Sequence, residues 1–380
     1  MTLVNLAEIA WSLERRRNAA MFVNLLRSAA FEKGIFVDPP LYSSRATALA
    51  RRAREGLLAL RPRATDEGFL WYRPSFFVPF HARPLVFRSS VALFAAVLGR
   101  ALRGEDYCLW INNIEPGPFA LAQALAKKAR KVVLDLSDDW TTFRDLDPAA
   151  RDRRLQAALA MADVVIAVNE HVLAKFPHRS GRVFPNATDF LNFQRHDPHY
   201  RLGDVLPRRP GQRIVGFVGG LHVGRVDEAL LHRLIAATPD ATFLFVGYSN
   251  SEELLGRLRE HGNVVVHPAV PYRDLPSVIR AFDVAIVPHL INEYTRGNDL
   301  LKVLDYLACG VPCVSTDCSN VRKYGSALHV ADSADAFVAT VRALLDGRKH
   351  DPAPGLAAAR AASWERTVPE LGEWLATALA

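Results

Sequence analysis

Cysteine is scarce in this sequence of 380 residues, and no long uncharged apolar run is present. The four cysteines lack CxxC spacing, which excludes a disulfide framework and argues against a zinc site, and their apolar neighbours predict buried free thiols. The longest apolar run, 91–98, ends at Gly99 and Arg100. A membrane-spanning helix needs roughly 18 apolar residues, so we expect no membrane span.

The N-terminus also lacks the features of a secretory signal. No basic residue precedes the apolar stretch 3–11, and no small-residue cleavage site follows it. The stretch is therefore interpreted as a first strand, and the protein is expected to be cytoplasmic.

Positive charge is concentrated in the first quarter of the chain. The first 100 residues hold 15 Lys and Arg against 7 Asp and Glu, an excess of +8, while the whole chain has +7. Such an excess could face phospholipid headgroups at the inner side of the membrane, an anionic acceptor or nucleic acid, or it could be a solvated surface. Because interleaved aromatic residues and a binding motif are missing, nucleic acid is not expected as a partner.

Two domains are expected from the length, because a single core stops growing near about 250 to 300 residues. Runs of strand and helix length alternate through both halves, which predicts parallel, doubly wound sheets and an α/β fold. The predicted parts are a Rossmann-like domain over 1–189, a linker over 190–212, a second Rossmann-like domain over 213–355 and a closing helical segment over 356–380.

The stretch 287–316 concentrates polar side chains at the end of a predicted strand, where open α/β sheets bind ligands. A loop between two apolar runs contains Asn292, Glu293 and Tyr294. A loop that only connects two elements does not need so many polar side chains, so this loop is predicted to bind a ligand.

A helix follows that loop and carries Lys302 and Asp305, three residues apart. The two could form a surface ion pair of small energetic value. Alternatively, Lys302 could bind phosphate while Asp305 accepts hydrogen bonds from two hydroxyl groups, as a ribose offers. The position of the helix start, after a strand end, favours the second interpretation because helix N-termini attract anions.

A glycine-rich turn is predicted after the first strand of the second domain. It includes Gly219 and Gly220, so that backbone amides can approach a phosphate closely. The spacing is not GxGxxG, and no acidic residue follows a second strand as a dinucleotide site requires, which argues against NAD. We predict a diphosphate held by Gly220, Arg225 and Lys302.

The segment from Asn292 through Lys302 and Asp305 to Pro312 resembles the nucleotide-sugar motif of GT-B glycosyltransferases, particularly bacterial ones that build surface polysaccharides. The resemblance covers essentially the whole chain and is strongest from Gly216 to Thr316. It implies that Lys302 lies on the donor diphosphate and that Asp305, where the family commonly has glutamate, holds the ribose.

The resemblance implies roles for other residues as well. Arg225 would lie beside the donor phosphates, and the turn around Val270 would receive the base, largely through backbone groups. Tyr248 ends a neighbouring predicted strand and is a further candidate for donor binding. Asn292 and Glu293 would touch the donor sugar or its phosphates. The closing segment resembles a terminal helix that crosses back to the N-terminal domain.

Two carboxylate pairs in the first half suggest catalysis or metal binding. Asp138 and Asp139 follow a predicted strand, where they could be caps or could deprotonate an acceptor hydroxyl. Asp145 and Asp147 form an Asp-x-Asp, but they precede Pro148 and a helix, where Asp is a favoured cap. We therefore expect no metal site.

The expected function is metal-independent transfer of a sugar from a nucleoside diphosphate donor, UDP or GDP based, to a saccharide or lipid-linked acceptor, with no further cofactor. The candidate catalytic residues are Asp138, Asp139 and Glu293. Two alternatives remain open. A UDP-sugar epimerase of the same fold would need no acceptor, and a non-catalytic relative acting as a scaffold would bind nucleotide weakly or not at all.

Overall fold

The computed structural model describes residues 1–11, 17–39, 61–74, 84–142, 147–195 and 211–379. The chain divides into two compact units, one of Met1–Pro185 with Val368–Ala380 and one of Asn186–Thr367. A predicted arginine-rich helix at 47–60 and most of the predicted linker, 196–210, lie outside the described residues.

The first unit contains a sheet whose strands have the order β3-β4-β2-β1-β5-β6-β7-β8, in which only β3 pairs antiparallel. Its strands are β1 (Thr2–Leu6), β2 (Lys33–Val37), β3 (Arg63–Ala64), β4 (Leu70–Tyr72), β5 (Tyr107–Ile111), β6 (Lys131–Leu136), β7 (Val164–Ala167) and β8 (Gly181–Val183). The central strands β1, β5 and β7 are buried along their whole length, as expected of a parallel sheet covered on both faces.

Helices cover that sheet and supply much of its core. They are α1 (Arg17–Arg27), α2 (Pro84–Leu102), α3 (Pro116–Ala126), α4 (Pro148–Met161) and α5 (Glu170–Lys175). The sequence suggested no apolar segment of membrane-spanning length, but α2 extends over 19 residues. Among the described residues it is the one helix that is long and apolar enough to cross a membrane by length and composition. One face of α2, including Phe87, Phe94 and Leu98, packs into the core of the unit.

The second unit contains a wholly parallel sheet with the strand order β11-β10-β9-β12-β13-β14. Its strands are β9 (Arg213–Val218), β10 (Ala241–Val246), β11 (Val264–His267), β12 (Val284–Val287), β13 (Cys313–Thr316) and β14 (His329–Ala331). The helices are α6 (Phe190–Gln194), α7 (Glu228–Ala237), α8 (Glu252–Arg259), α9 (Leu275–Ile279), α10 (Glu293–Arg296), α11 (Leu301–Ala308), α12 (Ala334–Leu345), α13 (Ala353–Ala361) and α14 (Trp364–Ala378), the last of which continues into the first unit.

The division of the chain differs in detail from the predicted boundaries. Helix α6 occupies the start of the predicted linker, and its Phe190 and Phe193 are buried in the core of the second unit. Burial of these two aromatic side chains stabilises a packed helix there, although the stretch is polar in composition. The chain returns to the first unit at Val368, within α14, rather than from 356 onward.

The order of the strands gives the second unit a topological switch point. From the central strand β9 the chain first builds β10 and β11 on one side and then β12 to β14 on the other. Open α/β sheets bind ligands at such a switch point, outside the carboxyl ends of the strands. Two loops leave the sheet there: the glycine loop, residues 219–227 after β9, and the β12 loop, residues 288–292.

Candidate functional site

The glycine loop and the β12 loop are joined to each other by backbone hydrogen bonds. The Leu290 amide donates to the Arg225 carbonyl, and the Asp227 amide donates to the Pro288 carbonyl, both over 2.8 Å. The two loops therefore form one ordered surface at the switch point.

Lys302, the second residue of α11, places its ammonium group at this surface. Nζ lies 4.0 Å from the ring centroid of Phe217 on β9 and 3.5 Å from Nε2 of His289 in the β12 loop. A Cβ atom at Gly219 would lie 3.2 Å from Nζ. The positive charge is thus adjacent to the backbone of the glycine loop, which is the arrangement that the predicted diphosphate site requires.

Gly219 has a conformation and a neighbourhood that favour glycine. Its φ is +120°, a value that residues with a side chain rarely adopt. Its amide donates to the Val246 carbonyl at the end of β10 over 2.8 Å. Gly220 is also tightly placed, because an added Cβ would lie 2.4 Å from Nε2 of His222. Side chains at either position would crowd the groups that line the site.

His289 is buried against three groups that are positive or can become so. Only 1% of its surface is exposed. Burial lowers the pKa of His289 well below its ordinary value, and the neighbouring Lys302, Arg225 and His222 lower that pKa further. The imidazole is therefore neutral near pH 7, and its Nε2 can accept a hydrogen bond from the Lys302 ammonium.

Arg225 is held by an aromatic ring from α10. It donates a hydrogen bond to the hydroxyl of Tyr294, and its guanidinium carbon lies 4.7 Å from the centroid of that ring. Its Nε has no hydrogen-bond partner among the described residues. The predicted pairing of Arg225 and Lys302 on one anion fits the influence of both cations on His289, whose pKa both of them lower.

Asn292 has a structural role that the sequence analysis did not foresee. Its Oδ1 accepts from the Thr295 amide over 3.0 Å, which caps α10 in a capping box, and its Nδ2 donates to the Gly224 carbonyl over 2.9 Å. The side chain thus connects the two loops, and its contact with the donor stays a prediction.

Asp305 is more buried than a ribose-binding carboxylate would be expected to be. Its Oδ1 accepts from the Thr188 hydroxyl over 2.7 Å within the second unit. Burial raises the pKa of Asp305 to about 7, against the lowering effect of the Thr188 hydrogen bond, and the nearby Asp189 raises it further. The contact with ribose remains a prediction.

The remaining predicted donor residues occupy loops around the same sheet edge. Tyr248 follows β10, is 46% exposed, and has its ring 5.2 Å from that of His222. Val270 is half-buried in the loop after β11 and packs against the core. Glu293 is exposed in the first turn of α10 and pairs with Arg296 over 2.8 Å. Their contacts with a donor stay predictions.

In the first unit, the structure contradicts a catalytic role for Asp139. Its carboxyl is 0% exposed and accepts from Nζ of Lys175 over 2.6 Å and from the amide and hydroxyl of Thr141. Burial alone would raise the pKa of Asp139, but these hydrogen bonds outweigh it and lower the pKa. The group is a poor general base, whereas Asp138 is half-buried, accepts a hydrogen bond from the Asp139 amide and remains a candidate.

The switch point of the first sheet, between β1 and β5, is occupied by residues that the sequence analysis did not combine. Arg17 at the start of α1 donates to Asp135 on β6 over 2.9 Å, and Nδ2 of Asn112 donates to the same carboxylate over 2.9 Å. All three side chains are buried. Asp138 therefore lies one strand away from the switch point, after β6 rather than β5.

One residue of the Asp-x-Asp pair, Asp147, has the capping role that was considered for it. Asp147 caps α4 by accepting from the Ala150 amide, while Asp145 lies outside the described residues. In the part of the chain that the structure describes, no three His, Cys, Asp or Glu side chains are grouped so as to hold a metal ion. The four cysteines are free, and three of them are fully buried.

Two residues that shape the site were missed in the sequence analysis. His289 was visible only as one polar residue in the loop after a strand, and Phe217 had the appearance of a core residue. Tyr306 was part of the recognised motif but received no role, although its hydroxyl accepts from the Val218 amide over 2.8 Å. The spacing of apolar residues along the sequence cannot reveal such contacts, because they join residues far apart in the chain.

Comparison with known protein families gives a match over the second unit. Residues 212–347 match the family described as Glycosyl transferases group 1. The proposed teichuronic acid biosynthesis glycosyltransferase TuaH of Bacillus subtilis is 29% identical over 236 residues. That match covers 58% of this chain and 58% of the relative, so it spans little more than half of the relative's length.

Solved structures match along the whole chain. Alr3699/HepE of Anabaena, in complex with UDP and glucose, has a TM-score of 0.66 at 15% identity and is matched over 100% of this chain and 99% of its own. An α,α-trehalose-phosphate synthase (UDP-forming) from Burkholderia xenovorans has a TM-score of 0.64 at 13% identity, with the same coverage. At such identities the similarity concerns the fold. The fold implied by the resemblance is confirmed: the chain has the GT-B fold of these glycosyltransferase structures, and residues 212–347 match the model of Glycosyl transferases group 1.

Proposed function

We propose that the protein is a glycosyltransferase that transfers a sugar from a nucleoside diphosphate donor to a saccharide or lipid-linked acceptor in the synthesis of a bacterial polysaccharide. The observation that carries the proposal is the position of the Lys302 ammonium, beside the Gly219 backbone at the switch point of the second sheet. The family match over 212–347 and the relative TuaH support transfer of a sugar as the reaction.

The proposed catalytic role of the second unit is to stabilise the leaving diphosphate. As the bond between the sugar and the diphosphate breaks, negative charge accumulates on the phosphate oxygens. Lys302 and Arg225 supply positive charge there, and the amides of the glycine loop can supply hydrogen bonds. Because the loops are already ordered, these groups need little rearrangement when charge develops.

UDP is the first donor nucleotide to test. Alr3699/HepE is described in complex with UDP, and the synthase from Burkholderia xenovorans is described as UDP-forming. GDP remains the alternative. Asp305 is proposed to hold the ribose and the loop around Val270 the base, while Glu293 and Tyr248 are proposed to contact the sugar or the phosphates.

The acceptor is proposed to bind the first unit, with Asp138 as the candidate base. Asp138 follows β6 at the carboxyl edge of the sheet, where an open α/β sheet receives ligands. No cofactor is proposed beyond the donor itself. The cations Lys302 and Arg225 take the charge-neutralising role that a divalent ion has in other nucleotide sites.

The protein is further proposed to act in the cytoplasm, in contact with the inner face of the membrane. The outer face of α2 supports this, because Leu85 and Leu93 are 77% and 53% exposed. The helix contains two arginines, Arg88 and Arg100, and no acidic residue. A cavity of about 840 Å³ lies beside it and includes Leu93, Arg100 and Arg103. An apolar face flanked by positive charge suits an anionic lipid surface.

Replacement of Lys302 tests the proposed function. Lys302→Ala should weaken UDP binding about 10- to 100-fold, because a charge-assisted hydrogen bond to a phosphate is lost, and should abolish sugar transfer while the melting temperature changes little. Isothermal titration with UDP and GDP measures this, with the exposed Lys349→Ala as the matched control. Unchanged affinity in Lys302→Ala would contradict the donor site.

The alternatives predict different outcomes in the same assays. A scaffold protein would leave UDP and GDP unbound by the wild-type chain. An epimerase would convert a UDP-sugar to its epimer with no acceptor present, which analysis of the sugar products detects.

A further inference from the structure

The ammonium group of Lys302 is surrounded by groups that restrict its position. The Phe217 ring lies on one side, 4.0 Å from Nζ to the centroid, and Gly219 leaves no room for a Cβ without a contact of 3.2 Å. His289 supplies a hydrogen-bonding atom to the ammonium group, with Nε2 at 3.5 Å from Nζ. A flexible lysine loses much rotamer freedom when it is held in this way, so the holding groups matter for its function.

His289 is itself rigidly placed. Its backbone forms an antiparallel bridge with Val226 of the glycine loop, and its carbonyl accepts from the Thr316 hydroxyl over 2.6 Å. Nδ1 is buried with no hydrogen-bond partner among the described residues. An ammonium group can only donate, so Nε2 must present its lone pair and Nδ1 must carry the proton. A fixed, neutral acceptor is therefore directed at Lys302.

We propose that His289 is a positioning residue for Lys302, holding the ammonium group against the glycine loop so that it meets the diphosphate of the donor. This inference rests on the proposed function, because it assumes that Lys302 binds the donor phosphates. A positively charged residue at this position would repel the lysine, and an apolar one would leave the ammonium group without this acceptor. His289 makes no contact with the donor in this account.

The first test compares ligands with and without phosphates. His289→Phe keeps an aromatic ring but removes the acceptor, and should weaken UDP binding about 5- to 10-fold, the effect of one hydrogen bond. Binding of uridine, which has no phosphate, should be unchanged. His289→Gln, whose amide oxygen can replace Nε2, should restore most of the UDP affinity. His329→Phe, a half-buried histidine on β14 of the same unit, is the matched control.

Each outcome separates this inference from the proposed function. If Lys302→Ala weakens UDP binding but His289→Phe does not, the positioning role is wrong and the donor site stands. If His289→Phe weakens UDP and uridine equally, or Gln fails to restore affinity, His289 is merely structural and the inference is overturned. If the wild-type protein binds neither UDP nor GDP, the proposed function fails and the inference fails with it.

Discussion

At the residue scale, Asp305 is a buried carboxyl whose ionisation should lower the stability of the fold. Its pKa is raised from 3.8 to about 7 by burial, whereas in the unfolded chain it keeps the ordinary value. Ionisation therefore favours the unfolded chain, and the cost is absent below about pH 4, grows as the pH rises to about 7 and is constant above that.

Asp305→Asn should remove this cost while retaining an oxygen that accepts from Thr188. We expect the variant to be more stable than the wild type at pH 8, by at most about 4 kcal/mol, and nearly equal to it at pH 4. Urea unfolding at both pH values measures the difference, and Asp240→Asn, whose residue is exposed, is the control. A gain that is the same at both pH values would contradict the raised pKa.

The contrast between Asp139 and Lys302 shows what the sequence can reveal about single residues. Local sequence patterns, namely a predicted strand end followed by a helix start, were enough to predict that Lys302 lies at a sheet edge. Asp139 has an equally suggestive position, but its partner Lys175 is 36 residues away. Only the folded chain brings that lysine to the carboxylate, so a cap and a base could not be told apart from the sequence.

At the element scale, α2 presents two different faces. The side with Phe87, Phe94 and Leu98 is in the core, and the side with Leu85 and Leu93 is exposed. We predict that Leu93→Asp abolishes binding of the protein to vesicles of phosphatidylcholine and phosphatidylglycerol, because a charge in the apolar face opposes insertion and repels anionic headgroups.

Sedimentation with vesicles checks this prediction. Leu191→Asp is the matched control, since Leu191 lies on α6 of the second unit and is 59% exposed. UDP binding should be normal in both variants. Equal vesicle binding by wild type and Leu93→Asp would contradict the proposed lipid contact.

The positions of strands and helices were easier to predict than the elements against which they pack. The alternating apolar runs indicated the parallel strands β5, β6, β9 and β12, because strands buried on both faces are continuously apolar. Helix α6 was interpreted as a linker, since its polar neighbours masked the two phenylalanines that pack into the second core. The strand order also could not be read from the sequence, because it depends on pairing between distant segments.

At the scale of the whole molecule, the distribution of charge suggests that donor binding does not depend on a divalent ion. The site has two cations, Lys302 and Arg225, close to one buried neutral imidazole. We predict that UDP affinity and sugar transfer in EDTA are within about twofold of those in magnesium, because fixed positive groups replace the ion. Calorimetry with and without EDTA measures the affinity.

A strict requirement for magnesium or manganese would contradict this prediction. The same measurement on Lys302→Ala extends the test, because loss of one fixed cation should make UDP binding more sensitive to added magnesium. In the wild-type protein, added magnesium should not increase the affinity for UDP.

The joined loops of the second unit have a consequence for motion in the absence of ligand. Their amides at Leu290 and Asp227 donate across the loop pair, and that of Gly219 donates to the end of β10. In most proteins the amides of surface loops exchange with solvent deuterium rapidly because they open readily. Here these three amides should exchange slowly in the free protein, and donor binding should slow them little further, since their hydrogen bonds already join the loops that are proposed to receive the phosphates.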